Sequence, residues 1–431
     1  DLRPVAGPLG RELFSGRSPR TFLSTTVPDE LKLARGGQPK VISVSSKDRS
    51  AVLLGGKLAD AAYWMDQGRM ISSTYYLPEL PAWVQAFNHS GRTEAYFGRT
   101  WDRLLPEDAY RVQGPDDVEH EFAGLGLGRT FPKKVDGGAV EISPEFYGAF
   151  EHTPFKSEVM MAFIKEVMEQ ENLGRRGVTD VLCMSFSAND TIGHDTGPDS
   201  HEVMDITLRT DRMLAEFFAY LDARIGLKNC TLVLTADHGV ATLPEKLTRM
   251  QPSIDAGRIS LPQVLSAAEG ALNTAYGSLA DAARWTVIDG AWLILAPASL
   301  EEKGVTRAEA ENVVREALLA VDFITDVYTR TDLEKGIAPG KYGAGTLLSF
   351  NRARSGDVFY QVKPRWIERP GTGSTHGSPY NYDTHVPLLW FGVGVTPGIR
   401  TDRVGVDDLA PTLAHILGVN APPQSQGRIL F

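Results

Sequence analysis

Two short apolar runs, Val181-Leu-Cys-Met-Ser-Phe186 and Thr231-Leu-Val-Leu-Thr235, constrain this chain most, because each ends within a few residues of an aspartate and a histidine. Continuous apolar runs bounded by polar residues are the pattern of strands covered on both faces, the usual condition of a parallel sheet. Ligand crevices in open α/β sheets lie outside the carboxyl ends of the strands. Asp190-Thr-Ile-Gly-His194 follows the first run and Asp237-His238 the second, so both pairs fall where a site is expected. A third histidine, His376, stands in Ser-Thr-His-Gly-Ser. Imidazole and carboxylate are donors that Zn²⁺ prefers in tetrahedral sites, and this set suffices for one ion and part of a second. Asp190 and His194 need a turn of chain to converge on one ion, which Gly193 eases. Asp237 and His238 point oppositely if the backbone is extended, so they touch different sides of one ion, or two ions.

Lys47-Asp48-Arg49 directly follows a further strand-like run, Val41 to Ser46. On extended backbone, residues two apart face one side at about 7 Å, so the ammonium and guanidinium reach one anion together. An Arg fork with a Lys point charge suits a phosphoryl group. Elsewhere strands alternate with helices. Val203, Ile206, Thr210, Met213, Phe217 and Leu221 recur at helical spacing behind Asp199, which with Glu202 reads as a capping box. This predicts a βαβ crossover between the two ligand-bearing strands. Phe155, Val159, Phe163 and Val167 form a similar core stripe. Trp285-Thr-Val-Ile, Trp292-Leu-Ile-Leu295 and a helix opened by Thr306 and Glu309 lie in a stretch too long for a loop, and Val358, Tyr360 and Val362 alternate like a strand. The expected architecture is α/β: a mostly parallel central sheet with helices on both faces, formed by residues 1–245 and 346–431, with an inserted smaller α/β subdomain at 246–345. Val386 to Phe391 and the helix of Asp408 to His415 close the main domain.

At 431 residues, 42% apolar and 23% charged, the chain buries a full core. A net charge of −10 without a basic stripe argues against a nucleic-acid groove, so attraction for phosphate must be local. No apolar window is long enough for a membrane span. The start, Asp1-Leu-Arg-Pro, shows no signal peptide. Cys183 and Cys230 are too few for a disulfide scaffold, and two thiols are expected rather than a bridge.

These residues resemble the alkaline phosphatase superfamily, and within it the bacterial monomeric alkaline phosphatases of the PafA type. The resemblance runs through Ser18-Pro-Arg-Thr, Val44-Ser-Ser-Lys-Asp-Arg49, Ala61-Ala-Tyr-Trp64, Ser73-Thr-Tyr-Tyr76, Asp190 to Pro198, Thr235-Ala-Asp-His-Gly239, Thr375 to Tyr380 and Asp383-Thr-His-Val-Pro387. It implies two Zn²⁺ per complete site, one held by Asp190, His194 and His376, the other by Asp237 and His238. It implies that Lys47 and Arg49 contact the phosphoryl oxygens, the feature separating monoesterases from type I phosphodiesterases and nucleotide pyrophosphatases. The expected function is hydrolysis of small-molecule phosphate monoesters through a phosphothreonine, by a periplasmic or secreted monomer. One departure is clear. The family places a zinc-binding aspartate on a first strand, and a nucleophilic threonine, well upstream of the Lys-x-Arg pair, and the residues before Lys47 contain neither. The chain reads as a C-terminal portion lacking that strand. Thr25 and Thr26 precede Pro28-Asp-Glu-Leu as a loop leading into a helix, not as substitute nucleophiles. The alternatives are a type I phosphodiesterase or nucleotide pyrophosphatase, and an inactive metal-binding fragment. His201, His385 and Asp383 lie near the ligands in sequence and are read either as their supports or as core and surface residues.

Overall fold

The protein is described by a computed structural model over residues 17–280 and 283–431; the tetrapeptide read for a signal lies outside these residues. Contacts divide the chain into two compact units, one ending at Asp237 and resuming at Pro387, the other running His238–Val386.

In the first unit the strand Val41–Ser45 is buried at every position. It pairs in parallel with Ala61–Asp66 on one edge, Ile42 opposite Ala61, and with Val181–Ser185 on the other, Val41 opposite Val181. Arg69–Ile71 folds back antiparallel on Ala61–Asp66, so the four-stranded sheet is parallel except at this hairpin. Helices cover both faces. Phe155–Gln170 buries Phe155, Val159, Phe163, Ile164 and Val167, as its stripe predicts, in a core with Ile42, Val44 and Tyr63. Phe163 is ringed by Tyr63, Trp83 and Phe87 at centroid distances of 5.2, 5.5 and 5.0 Å. Burying one such side chain stabilises by about 2–3 kcal/mol, with aromatic contacts adding to it. On the other face Asp48–Gly55 lays Ala51 and Val52 against Ala62 and Trp64. The α/β expectation holds.

The crossover expectation does not hold as stated. Thr231–Thr235 pairs antiparallel with Leu388–Gly392, Leu388 opposite Thr235. Among the described residues no ladder joins it to Val181–Ser185, and each strand pairs along one edge only. Val181–Ser185 is half-buried throughout, and Leu389 and Phe391 remain 62% and 51% exposed. A second correction concerns the helix between them, His201–Ile225. Its cap is Ser200, whose hydroxyl accepts from Val203 N at 3.1 Å, rather than Asp199. Glu202 cannot complete a capping box because its carboxylate is buried on the Lys133 ammonium at 2.9 Å. Ile206, Phe217 and Leu221 are buried as expected. Cys183 and Cys230 are thiols, not a bridge; burial pushes the Cys183 thiol up to about 12.

The second unit is built on an antiparallel sheet in the order Ile324–Thr329, Val358–Val362, Trp292–Leu295, Thr286–Asp289. Helices Leu261–Tyr276 and Arg307–Leu319 supply Val264, Ala268, Leu272, Ala310, Val314 and Leu318 to its core. The second helix opens with the predicted capping box of Thr306 and Glu309.

Candidate active site

In the first unit, Asp190 and His194 lie one turn apart on the helix Ala188–Thr196, which follows the strand Val181–Ser185. The turn bringing them together is therefore helical, and the four-residue spacing does the work assigned to Gly193. Asp190 Oδ1 and His194 Nε2 are 3.4 Å apart. Two donors on a tetrahedral zinc, each at about 2.0–2.1 Å from the ion, stand roughly 3.3 Å from one another. The pair already has the spacing of two ligands on one ion.

Lys47 and Arg49 follow the buried strand Val41–Ser45, but the extended backbone lasts only through Lys47. Lys47 is the N-cap of the helix Asp48–Gly55, and Arg49 already lies in its first turn. The correction has a plain cause: Asp48 opens a helix-forming run, Arg-Ser-Ala-Val-Leu-Leu, and an acidic residue at a helix start is favoured by the dipole. Lys47 Nζ contacts Asp190 Oδ2. Arg49 is exposed, and among the described residues its guanidinium has no hydrogen-bond or ion-pair partner. Lys47 thus borders the Asp190 carboxylate, and Arg49 stands exposed in the first turn of the same helix, an arrangement suited to an anion. Asp237 is exposed, two residues beyond the end of the strand Thr231–Thr235. Thr26 is committed as N-cap of Val27–Ala34, bonded to Asp29 N, and Thr25 Oγ1 bonds Glu30. Neither is placed as a nucleophile.

In the second unit the structure brings His238 and His376 together. Their rings stack with centroids 3.3 Å apart and planes 13° from parallel. Ladder-like bonds hold the two segments: Gly239 N donates to Asp383 O at 2.7 Å, Ala241 N to Thr375 O at 3.2 Å, and the Ser374 hydroxyl to Ala241 O. His238 Nδ1 lies 2.8 Å from Gly239 O. A carbonyl only accepts, so Nδ1 carries the proton and the ring's lone pair is on Nε2, the form a metal-binding imidazole needs. Asp383 is buried and its Oδ2 accepts from both the backbone N and the hydroxyl of Ser378, shaping the turn after His376. His385 is exposed. A Cβ on Gly239 would stand 2.1 Å from Tyr382 O, so only glycine lets the segments approach this closely. Gly239→Ala is expected to destabilise the protein by about 1–3 kcal/mol, read as a lowered unfolding midpoint, with metal retention falling in parallel. An unchanged midpoint would show that the two segments part without cost.

Sequence reasoning missed the groups behind the Asp190 helix. Asp195 is paired with His152, and Lys156 is buried with its ammonium 3.3 Å from Thr191 Oγ1. His201 is an anchor in the core of this unit, bonded to Gly114 O at 3.0 Å and facing Asp116 at 3.2 Å. The only signal was a lysine placed within an apolar helical stripe; its partner lies far along the chain.

The chain matches the family model described as type I phosphodiesterase / nucleotide pyrophosphatase over residues 26–379. A Myroides odoratus protein named calcium-transporting ATPase is 34% identical over 415 residues, 94% of this chain and 74% of that protein. Alkaline phosphatase PhoV of Synechococcus elongatus is 32% identical, covering 96% of this chain and 74% of its own length. Alkaline phosphatase PafA of Elizabethkingia meningoseptica is 30% identical, with 95% and 74% covered. The 1.7 Å crystal structure of wild-type PafA matches with a TM-score of 0.89 at 28% identity, over 99% of this chain and 81% of that one. With a strand-end Asp/His pair, a Lys-x-Arg pair beside it and this likeness in fold, the chain belongs to the type I phosphodiesterase / nucleotide pyrophosphatase family, within the alkaline phosphatase superfamily.

Proposed function

We propose that the protein is a zinc-dependent alkaline phosphatase that hydrolyses phosphate monoesters. The observation that carries this reading is the placement of Lys47 and Arg49, one on the Asp190 carboxylate and the other exposed, at the N-terminus of one helix. A monoester dianion presents three unsubstituted oxygens, and a cation pair can hold charge only where such oxygens stand. The relatives named alkaline phosphatase support the same activity.

Asp190, His194 and His376 are proposed to hold one zinc, and Asp237 with His238 a second. The 3.4 Å donor spacing of Asp190 and His194 fits one ion. The parallel His238 and His376 rings, 3.3 Å apart, fit ligands of two ions, since paired catalytic metals stand about 3.5–4 Å from each other. Bound zinc supplies positive charge that activates a nucleophilic hydroxyl and steadies a leaving oxygen. The protein's own work is orientation and charge. Lys47 moves from Asp190 to a phosphoryl oxygen, Arg49 takes another, and both are stronger partners of the transition state as charge gathers on those oxygens. The phosphoryl group passes to a threonine hydroxyl with loss of the alcohol, and water then releases phosphate. That threonine, and an aspartate completing the second ion, are proposed to belong to a strand-bearing segment that pairs with the edges of Val181–Ser185 and Thr231–Thr235 that carry no ladder among the described residues. A monomer acting in the periplasm or outside the cell, where phosphate esters are scavenged, is part of the same proposal. No helix among the described residues is long and apolar enough to cross a membrane.

A diesterase is the second reading, favoured by the family model's own description. The test is to assay the full-length protein with zinc on a matched aryl monoester and diester. The monoester is expected to be hydrolysed with the larger kcat/KM. Preference for the diester would promote the second reading, and hydrolysis of neither would leave an inactive metal-binding protein.

A further inference from the structure

Lys156 is a buried charged group of the first unit that the proposed chemistry does not use. It sits in the helix Phe155–Gln170 and is 4% exposed. Its ammonium has three protons to donate, and among the described residues it makes one long bond, 3.3 Å to Thr191 Oγ1. Thr191 in turn donates to Ser187 O at 3.0 Å, so its hydroxyl proton is occupied and its oxygen faces the lysine. Burying an ammonium with so few partners costs stability, and methylene packing alone would be served better by methionine. Burial lowers its pKa to about 8, with Glu151 opposing, Lys47 adding to the lowering, and Asp190 and Asp195 opposing.

The two ammonium groups reach neighbouring residues of one helix, Lys47 at Asp190 and Lys156 at Thr191. Lys47 contacts Asp190 directly, while Lys156 stands behind the same residue across the side chain of its neighbour Thr191. Like charges that share one counter-ion weaken each other's hold on it. For Lys47 to clamp a phosphoryl oxygen it must leave Asp190.

We propose that Lys156 is a positioning residue for phosphoryl binding: its buried charge, set behind Asp190 through Thr191, loosens the Lys47–Asp190 pair and so makes Lys47 available to the substrate. The inference rests on Lys47 being a phosphoryl ligand. It acts through Lys47 alone, without touching substrate.

A double-mutant cycle on the full-length, zinc-loaded protein tests it. Lys156→Met removes the charge at nearly constant volume. It is expected to lower kcat/KM on an aryl phosphate about tenfold and to weaken inhibition by inorganic phosphate to a similar degree. In the Lys47→Ala background the same change should cost less than twofold, because nothing remains to be loosened. The unfolding midpoint of Lys156→Met should hold or rise, and Lys156→Arg, which keeps the charge, should recover most of the lost activity. Equal losses in both backgrounds, or a fall in midpoint that accounts for the loss in activity, would assign Lys156 a structural role and overturn the proposal. The underlying reading fails separately: Lys47→Ala alone would then leave monoester hydrolysis unchanged.

Discussion

Replacing Lys47 and Arg49 together by alanine is expected to lower kcat/KM on an aryl phosphate monoester by at least 10²–10³, roughly 3 kcal/mol of lost transition-state stabilisation, while the matching diester loses much less. The asymmetry follows from charge and shape. A monoester offers three bare oxygens and two negative charges; when metals hold part of that charge, the remainder falls to the cation pair. A diester has one oxygen blocked by its second organic group and one charge fewer, so the clamp has little to grip. Arg49 matters for being exposed, its guanidinium without a partner among the described residues, whereas Lys47 must be drawn from Asp190. Its single replacement therefore removes both a substrate contact and a counter-charge to Asp190, and the double variant is the cleaner measurement. Kinetics on both esters in both proteins decide the matter. Equal losses on the two would mean that Lys47 and Arg49 support the fold or the metals, and not the phosphoryl oxygens.

Much of this was legible in the sequence, and the failures have identifiable causes. Unbroken apolar runs announce strands, which is why Val41–Ser45 and Thr231–Thr235 were found at nearly their observed bounds, although only the first is buried at every position. The partner of Thr231–Thr235 was not, because an apolar run does not say which edge it joins or in which direction. Local conformation at the strand ends was misjudged twice in one direction. Lys47 to Arg49 and Asp190 to His194 were read as extended chain and turn, yet both enter helices at once. For Asp190 and His194 the i to i+4 spacing was itself the helical signal, and Gly193 masked it. The cap at Ser200 was missed by one residue because Glu202, which would have completed the box at Asp199, is drawn into a buried pair with Lys133. Such a pairing joins positions remote in sequence, as do the contacts of Lys156 and the lacing of Asp383 behind His238. No local pattern encodes them.

His376→Ala is expected to release close to one zinc per chain and to lower phosphatase activity on the order of 10³-fold, consistent with several kcal/mol of Lewis-acid stabilisation lost from one ion. The proposed ion has only Asp190, His194 and His376 as protein donors, so removing one leaves two ligands and water, too few for a closed tetrahedral set. The second ion should be kept better, since Asp237 and His238 are unaltered and the Nδ1 bond to Gly239 O still fixes the His238 tautomer. Loss of the stacked ring contact itself is worth about 0.5–1.5 kcal/mol, so the metal-free variant should unfold only slightly earlier than the metal-free parent. That comparison separates ligation from packing. If His376 is a ligand, the variant's midpoint falls much more with zinc present in both proteins than with zinc absent from both, because binding to the native state is what stabilises it. Elemental analysis finding the parent's zinc content in the variant, with unfolding midpoints shifted equally in the two conditions, would remove His376 from the metal site and leave its role as a structural stack on His238.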